Sequence, residues 1–358
     1  MKAEEMWKVS TGKGVTVAVV DSGVDRVPEL EGQVLTGKDF ATTYQGDERT
    51  DYDAHGTGIA AMIAGSGKGP GGGDGAFGLA PGAKVLPIRV PHEDDSASPL
   101  WTAAIRYAAD SDAKIINISM ATSKEDPARN EAVKYALSKG KLIFAGVGNT
   151  GVGANPVMFP AATPGVVGVS AIDQQASATK ESQHGTQVDL SAPGVDIVSA
   201  CSGKTGLCNT HGTSDATALT SASAALIWSA HPDWTNNQVL RVLLNTSGKP
   251  RDGVERNDYI GYGVVRPRVA LSTPEDPGPA DVYPLPDLAA AEAKGKAPSG
   301  GPSPSGGAKA PEKATRVPEA AEEAGGLGTG AWIAIGLGAC LLIGGAVTAV
   351  VVRRTNRP

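Results

Sequence analysis

The chain alternates between short apolar runs and segments whose apolar residues recur with helical spacing. Residues 15–20 form an apolar run dominated by β-branched side chains, which is typical of a strand buried on both faces of a parallel sheet. Similar runs occur at residues 84–90, 114–120, 141–147 and 166–172, and helical patterns lie between the runs at residues 55–64, 99–109 and 127–139. Strands that alternate with helices predict an α/β fold with a mostly parallel, doubly wound central sheet.

Three further patterns complete the predicted domain, which we place at residues 1–272. Residues 189–194 are typical of a short strand that ends in a turn, and residues 218–230 form an apolar helical run. Thr235 follows a Pro-Asp turn and is the expected N-cap of an amphipathic helix over residues 236–244.

The composition changes after residue 272. Residues 273–328 are rich in Pro, Gly, Ala, Ser, Lys and Glu and cannot bury a core, so we predict a disordered linker. Residues 329–352 contain an apolar, uncharged run that would span roughly 33 Å as a helix, enough to cross a bilayer of roughly 30 Å. Three arginines follow in the tail, residues 353–358. The positive-inside rule places this tail in the cytoplasm and the predicted domain outside the cell.

This orientation requires export, yet residues 1–10 are polar and lack the apolar core of a signal peptide. Three explanations remain open at this point: a signal that precedes the chain, a misassigned start, or a tail anchor. A tail anchor would place the arginines outside, against the charge rule. We therefore expect a missing signal.

Composition restricts the function further. Apolar residues make up 41% of the chain but aromatic residues only 4%, so the core must consist of Ala, Val, Ile and Leu. The net charge of −6 and the absence of a basic stripe argue against a nucleic-acid surface. Of the three cysteines, Cys201 and Cys208 lie close together, and in an oxidising compartment we expect them to form a disulfide rather than stay reduced. No His or further Cys lies at ligand spacing, so no metal site is predicted.

A serine near a helix start is the first candidate for chemistry. Gly212 precedes Thr213 and Ser214, and an apolar helical run follows. The free N–H groups and the dipole of a helix N-terminus favour a developing negative charge, which suits a hydroxyl nucleophile. Taken alone, this stretch favours an ordinary Ser or Thr helix cap, because such caps are very common.

Two other motifs favour the catalytic interpretation. Asp21 ends the first apolar run, and His55 opens a helical segment that begins His-Gly-Thr. A Gly-rich stretch at residues 145–151 adds Asn149 after another predicted strand. The order Asp, His, Ser is that of subtilisin and differs from two unrelated hydrolase folds. With all four motifs in order over roughly residues 7–270, the chain resembles the subtilases, a family of serine peptidases. It is most similar to the mycosins, membrane-anchored subtilases associated with type VII secretion.

The resemblance implies a subtilisin-like three-layer fold and a role for each residue. Asp21 would orient His55, His55 would act as base, and Ser214 would be the nucleophile. Asn149 and the Ser214 backbone N–H would bind the oxyanion. The resemblance places Ser119, Met120 and Ala121 along the substrate backbone. It places Gly146 in the opposite wall of the first specificity pocket.

The same resemblance implies partners and a location. Expected partners are protein or peptide substrates, type VII secretion components and the membrane. No cofactor is expected. Structural calcium is frequent in the family, but no acidic loop here can be assigned to it. A propeptide is not evident either.

The remaining titratable residues receive structural interpretations. Asp51 and Asp53 are expected to cap the His55 helix, and Asp25 to have a structural or substrate-side role. The other four histidines are expected to be solvated or to serve in loops. They are His92, His184, His211 and His231.

Asp215 departs from the family pattern, which has an apolar residue after the nucleophile. A carboxylate there would repel the developing oxyanion and raise the pKa of His55. The sequence is therefore consistent with two functions. The first is an extracellular, membrane-anchored serine endopeptidase, and the alternative is a weakly active or inactive subtilase-fold scaffold that stabilises a secretion complex. The complete set of Asp21, His55, Asn149 and Ser214 favours the endopeptidase. An esterase that uses the same residues is a further possibility.

Overall fold

The central layer of the protein is a sheet of seven strands. The structure is a computed structural model that describes residues 2–92, 98–202 and 206–296. Every neighbouring pair in this sheet is parallel, in the order β2-β5-β1-β6-β7-β8-β9. The strands are β1 (Thr16–Asp21), β2 (Lys38–Asp39), β5 (Lys84–Arg89), β6 (Ile115–Ile118), β7 (Leu142–Gly146), β8 (Val167–Ile172) and β9 (Leu190–Pro193). Two antiparallel hairpins lie outside it, formed by β3 (Ser66–Lys68) with β4 (Asp74–Phe77), and by β10 (Ile197–Ala200) with β11 (Leu207–Thr210).

Helices cover both faces of the sheet. The helices in the described residues are α1 (Ala3–Trp7), α2 (His55–Ala64), α3 (Ser98–Asp110), α4 (Pro127–Ser138), α5 (Thr213–Ala230), α6 (Asn236–Asn245), α7 (Pro267–Ser272) and α8 (Pro286–Lys296). Residues of α3 and α4 share one apolar core with the sheet, and residues of α2, α5, α6 and α7 share the other. In β1, Val17 and Val19 enter one core while Ala18 and Val20 enter the other. This burial on both faces is the physical reason for the continuous apolar runs.

The structure confirms the predicted α/β class, the mostly parallel sheet and the three layers. All five apolar runs are strands of the central sheet, and four of the predicted helices end within one residue of their expected bounds. The fifth, α5, begins five residues before the apolar run predicted at residues 218–230. Thr235 caps α6 as predicted, because its side chain accepts a hydrogen bond from Gln238 N while the Gln238 side chain accepts one from Thr235 N.

Helix α5 crosses the interior rather than the surface. From Thr213 to Trp228 all its residues except Ser214 are buried, although many are Ser and Thr. Several of these hydroxyl groups donate to the carbonyl four residues earlier, such as Thr217 to Thr213 O at 2.7 Å and Ser223 to Leu219 O at 2.7 Å. Internal hydrogen bonds of this kind let a polar helix lie in a core without unpaired groups.

The segment after residue 272 differs from the linker prediction in its first part. Residues 273–296 pack on the domain: Leu285 is 3% exposed, and Arg241 of α6 donates to the carbonyls of Pro277, Pro279 and Val282. The Pro-rich composition hides this order, because the segment is held by scattered anchors and not by a periodic apolar face.

The other C-terminal predictions lie outside the described residues. These are the rest of the linker, the membrane helix at residues 329–352, and the tail at residues 353–358. Within the part of the chain that the structure describes, no helix is long and apolar enough to cross a bilayer. A disulfide joins Cys201 and Cys208 with a Cα–Cα distance of 5.3 Å, as the sequence predicted.

Candidate active site

Asp21 and His55 meet at the carboxyl end of the central sheet. Asp21 is the last residue of β1 and is 1% exposed, and His55 is the first residue of α2. His55 Nδ1 donates to Asp21 Oδ1 at 2.7 Å, and the N–H of Ser22 donates to the same oxygen at 2.8 Å. The ring is therefore held in the tautomer that leaves Nε2 free to accept a proton.

The pKa of His55 is raised to about 9. Burial lowers this pKa, but the charge of Asp21 and the hydrogen bond to it raise it by more. Asp215 and Asp51 add smaller effects in the same upward direction. Asp215 thus acts on His55 in the direction that the sequence predicted.

Ser214 lies at the N-terminus of α5, directly after the first helical residue. Its Oγ donates to Ser119 O at 3.0 Å, and the Ser119 hydroxyl donates back to Ser214 O at 3.2 Å. Among the described hydrogen bonds, none joins Ser214 to His55. In this conformation the hydroxyl lies against the end of β6, and a rotation about its Cα–Cβ bond would release it toward the cleft.

Asn149 follows β7 and lies beside the start of α5. Its Oδ1 accepts a hydrogen bond from Thr213 N at 2.9 Å, so the orientation of the amide is determined by the backbone. A Cβ added at Gly212 would lie 2.9 Å from Asn149 Nδ2, and Gly212 has a φ of +132°. Both observations explain why glycine stands at this position. Asn149 Nδ2 therefore lies beside the N-terminus of α5, where it can donate a hydrogen bond to a substrate.

Asp215 is the next residue along α5 and is 3% exposed. Burial raises its pKa, while a 2.8 Å hydrogen bond from Thr210 Oγ1 and the charge of His55 lower it. The carboxylate is therefore held inside the protein by β11.

A hydrogen-bond network that the sequence reasoning missed supports the Asp21–His55 pair. Asp51 Oδ1 accepts from Ser22 Oγ at 2.7 Å, and Asp51 Oδ2 accepts from Thr57 N at 2.7 Å. Ser22 Oγ in turn accepts from Gly56 N at 3.0 Å. The N-cap position of α2 is Ala54, but Asp51 accepts from the first turn of the helix, which agrees with the predicted capping role. Asp51 also joins the strand end that holds Asp21 to the helix that holds His55.

A cavity of about 200 Å³ opens beside His55. Ser119, Met120 and Ala121, which the resemblance places along the substrate backbone, border it. Gly146 is buried in β7, where an added Cβ would lie 3.0 Å from Thr213 Oγ1. Its role in the opposite wall stays a prediction.

The other acidic and imidazole groups have local partners. Asp25 accepts hydrogen bonds from Asp51 N and from the Ser202 hydroxyl, which agrees with a structural role. Asp53 does not cap α2 but lies 3.3 Å from His92 Nε2. The remaining histidines have other partners: His184 stacks on Tyr259, His231 stacks on Trp234, and His211 lies near Glu181. In the described residues, no group of three His, Cys, Asp or Glu side chains could hold a metal ion.

The chain is similar to known proteins along most of the described fold. The subtilase family matches residues 12–263. Mycosin-1 of Mycobacterium tuberculosis is 32% identical over 329 residues, which cover 76% of this chain and 72% of mycosin-1. A thermophilic serine proteinase of Bacillus sp. strain AK1 is 34% identical over 260 residues, which cover 72% of this chain but 62% of that proteinase.

Solved structures show the same likeness. The crystal structure of MycP1 from Mycobacterium smegmatis superposes with a TM-score of 0.67 at 28% identity, and covers 78% of this chain and 85% of that one. A chain in the periplasmic assembly of the ESX-5 inner membrane complex superposes with a TM-score of 0.69 at 28% identity, and covers 85% of this chain and 88% of that one.

Proposed function

Since the chain belongs to the subtilase family, we propose that it hydrolyses peptide bonds through an acyl-enzyme formed on Ser214. The chain is a subtilisin-like serine protease related to the mycosins. The observation that carries the proposed mechanism is the 2.7 Å hydrogen bond from His55 Nδ1 to buried Asp21, at the same sheet edge as Ser214.

In the proposed mechanism, Ser214 Oγ attacks the scissile carbonyl carbon and transfers its proton to His55 Nε2. Asp21 stabilises the imidazolium that forms. The oxyanion accepts hydrogen bonds from Asn149 Nδ2 and from the Ser214 backbone N–H. His55 then protonates the leaving amine as the C–N bond breaks, and an acyl-enzyme remains.

Hydrolysis of this ester follows the same path in reverse. A water molecule loses a proton to His55 and attacks the ester carbonyl, and the proton returns to Ser214 Oγ as the acid product leaves. Before the first step, Ser214 must turn from Ser119 O toward His55 Nε2. We propose that no cofactor takes part.

We further propose that the protease domain faces the outside of the cell, is anchored by residues 329–352, and works with a type VII secretion system. The apolar run and the arginines after it support the anchor. Support for the partner comes from the likeness to mycosin-1 and to a chain of the ESX-5 periplasmic assembly.

A fluorophosphonate probe tests the function directly, because it reacts only with an activated serine. We expect the 358-residue chain to be labelled and a Ser214→Ala variant to remain unlabelled. Ser221→Ala is the matched control, since Ser221 is a buried serine of the same helix. A folded protein that fails to react would refute the acyl-enzyme proposal and leave the scaffold as the better explanation.

A further inference from the structure

Arg89 is a fully buried cation beside the proposed catalytic residues, and the proposed mechanism gives it no role. It is the last residue of β5, and it pairs with Asp21 in the register of β1 and β5. Its side chain is 0% exposed. A buried charge is costly unless it is paired and hydrogen-bonded, so the partners of Arg89 indicate what this side chain stabilises.

The guanidinium of Arg89 binds the start of the segment that joins β2 to α2, residues 40–54, called here the 40–54 loop. Nη1 donates to Asp39 Oδ2 at 3.2 Å and to Tyr44 O at 3.4 Å, while Nη2 donates to Gln45 O at 2.9 Å. Arg89 thus pairs its charge with one carboxylate at the end of β2 and fixes two backbone carbonyls of the loop.

Two stacked tyrosines extend this restraint to the far end of the 40–54 loop. Tyr44 stacks on Tyr52 with ring centroids 4.0 Å apart, and Arg89 Cζ lies 5.5 Å from the centroid of the Tyr52 ring. A guanidinium is attracted to an aromatic ring at this distance. The Tyr52 hydroxyl also donates to Val90 O at 2.8 Å. Tyr52 is therefore held against the end of β5 by its ring and by its hydroxyl.

Tyr52 directly follows Asp51 in the chain, so the position of its ring restricts where the Asp51 carboxylate can lie. That carboxylate accepts hydrogen bonds from Ser22 Oγ and from Thr57 N, both at 2.7 Å. Hydrogen bonds weaken steeply with distance and angle, so a small displacement of the loop would break these two. The geometry of the site therefore depends on how the 40–54 loop is held.

The fork of the Arg89 guanidinium, and not its charge alone, makes these contacts. Its two terminal nitrogens reach three oxygens on different residues. A lysine would carry the same charge on one nitrogen, and a single ammonium group cannot occupy both positions. Replacing arginine by lysine would therefore loosen the loop while the local charge stays constant.

We propose that Arg89 is a positioning residue for the reaction. It holds the 40–54 loop, with Tyr52 as the connecting contact, so that Asp51 stays bonded between the strand that ends in Asp21 and the helix that begins with His55. This inference rests on the proposed peptidase function and adds to it a residue that acts through others.

Peptide hydrolysis by an Arg89→Lys variant of the full chain tests the proposal. With a tetrapeptide p-nitroanilide as substrate, we expect kcat to fall about 10-fold while KM changes less than about twofold, because the base is displaced and the substrate contacts are not. The lower limb of the kcat/KM pH profile should move to lower pH, since a displaced Asp51 raises the pKa of His55 less. A lower Tm with unchanged kcat and pH profile would overturn the proposal and limit Arg89 to a structural role.

A double-mutant cycle shows whether Arg89 acts through Asp51. In an Asp51→Asn background the path is already broken, so Arg89→Lys should lower kcat/KM by less than about twofold there. Tyr52→Leu removes the ring that connects the two residues, and should lower kcat/KM about fivefold in the parent but have little effect in the same background. If Arg89→Lys fails to fold, the Tyr52→Leu cycle tests the same path.

Arg241→Lys is the matched control, because Arg241 of α6 also holds a segment of chain through three backbone carbonyls. It should lower Tm but leave kcat/KM and the pH profile as in the parent protein. Equal losses from Arg89→Lys in the parent and in the Asp51→Asn background would refute the path through Asp51, while fluorophosphonate labelling at Ser214 would still support the peptidase function. A parent chain that cleaves no peptide and takes no label would remove the peptidase function and the inference together.

Discussion

At the residue scale, Asp215 distinguishes this site from the usual subtilase pattern. Its carboxylate is buried one position after Ser214, the proposed nucleophile, and is held by Thr210 Oγ1. A negative charge there stabilises protonated His55, and the pKa of His55 is raised to about 9. Because the mechanism needs His55 unprotonated, the enzyme should gain activity with rising pH up to this value.

Replacing Asp215 by asparagine should shift the activity to lower pH. The substitution removes one charge that raises the pKa of His55, so the unprotonated base is reached earlier. We expect the lower limb of the kcat/KM profile to move down by about 0.5–1 pH unit, a typical effect of one nearby charge. The measurement is peptide hydrolysis between pH 5 and 10. Asp233→Asn is a control far from His55, and equal profiles for all three proteins would contradict the prediction.

Asp51 is a positioning residue for both members of the Asp21–His55 pair. It accepts from Ser22 next to Asp21 and from Thr57 in α2, so it determines how the strand end and the helix start lie relative to each other. Its charge also raises the pKa of His55.

An Asp51→Asn variant should therefore change both rate and pH dependence. One oxygen becomes an NH2 group that cannot accept from Thr57 or Ser22, and the misplaced ring should lower kcat/KM about 10-fold to 100-fold. The lower limb of the pH profile should move to lower pH as well. Asp74→Asn, in the β3–β4 hairpin, is the control. A loss of thermal stability with an unchanged profile would limit Asp51 to a structural role.

At the element scale, β9 begins next to an acidic group that is far from the cleft. Asp189 accepts from Gly168 N at 2.9 Å and lines a cavity of about 560 Å³ together with Arg256 and Asp287. Burial raises the pKa of Asp189 to about 8, and the charge of Asp287 adds to this increase. The folded protein therefore prefers this carboxyl group protonated.

This preference predicts the pH dependence of stability. The pKa of Asp189 in the folded protein, about 8, exceeds the ordinary aspartate value of 3.8. The group's stabilising contribution is therefore complete below pH 3.8 and is lost as the pH rises to about 8. Asp189→Asn should remove this loss, so the decrease in the free energy of unfolding from pH 5 to pH 9 should be smaller than in the parent protein by on the order of 1–3 kcal/mol. Urea unfolding at the two pH values measures it, and a parallel decline in both proteins would exclude Asp189 as the cause.

At the scale of the whole molecule, the folded unit extends past α7. Residues 273–296 cross α6, are held by Arg241, and end in α8, where Asp287 Oδ2 accepts from Gly165 N at 2.7 Å. This segment belongs to the domain and not to the linker that composition indicates.

Truncation checks the boundary. A chain that ends at residue 272 loses the Leu285 anchor and leaves Arg241 without three carbonyl partners. We expect its Tm to lie about 5–10 °C below that of a chain ending at residue 296, since one buried leucine contributes about 1.5–3 kcal/mol and each kcal/mol shifts Tm by about 2–4 °C. Identical melting curves for the two chains would restore residue 272 as the end of the domain.

The sequence by itself determined the elements and their order. The spacing of apolar residues within one element depends on which of its faces are buried. This spacing can be read from the element's own residues, as in the strand at residues 15–20 and the helix at residues 55–64. The family resemblance singled out Asp21, His55 and Ser214, because each of the three lies in a short motif at a strand or helix end.

Tertiary structure alone decided the contacts between these motifs. The sequence could not show that Asp51 joins Asp21 to α2, that Ser214 bonds to Ser119 O, or that Asp53 borders a cavity instead of capping a helix. It also could not show that residues 273–296 pack on α6. These features depend on where distant segments meet, and the position of a segment in space is set by the packing of the whole core, which no local pattern records.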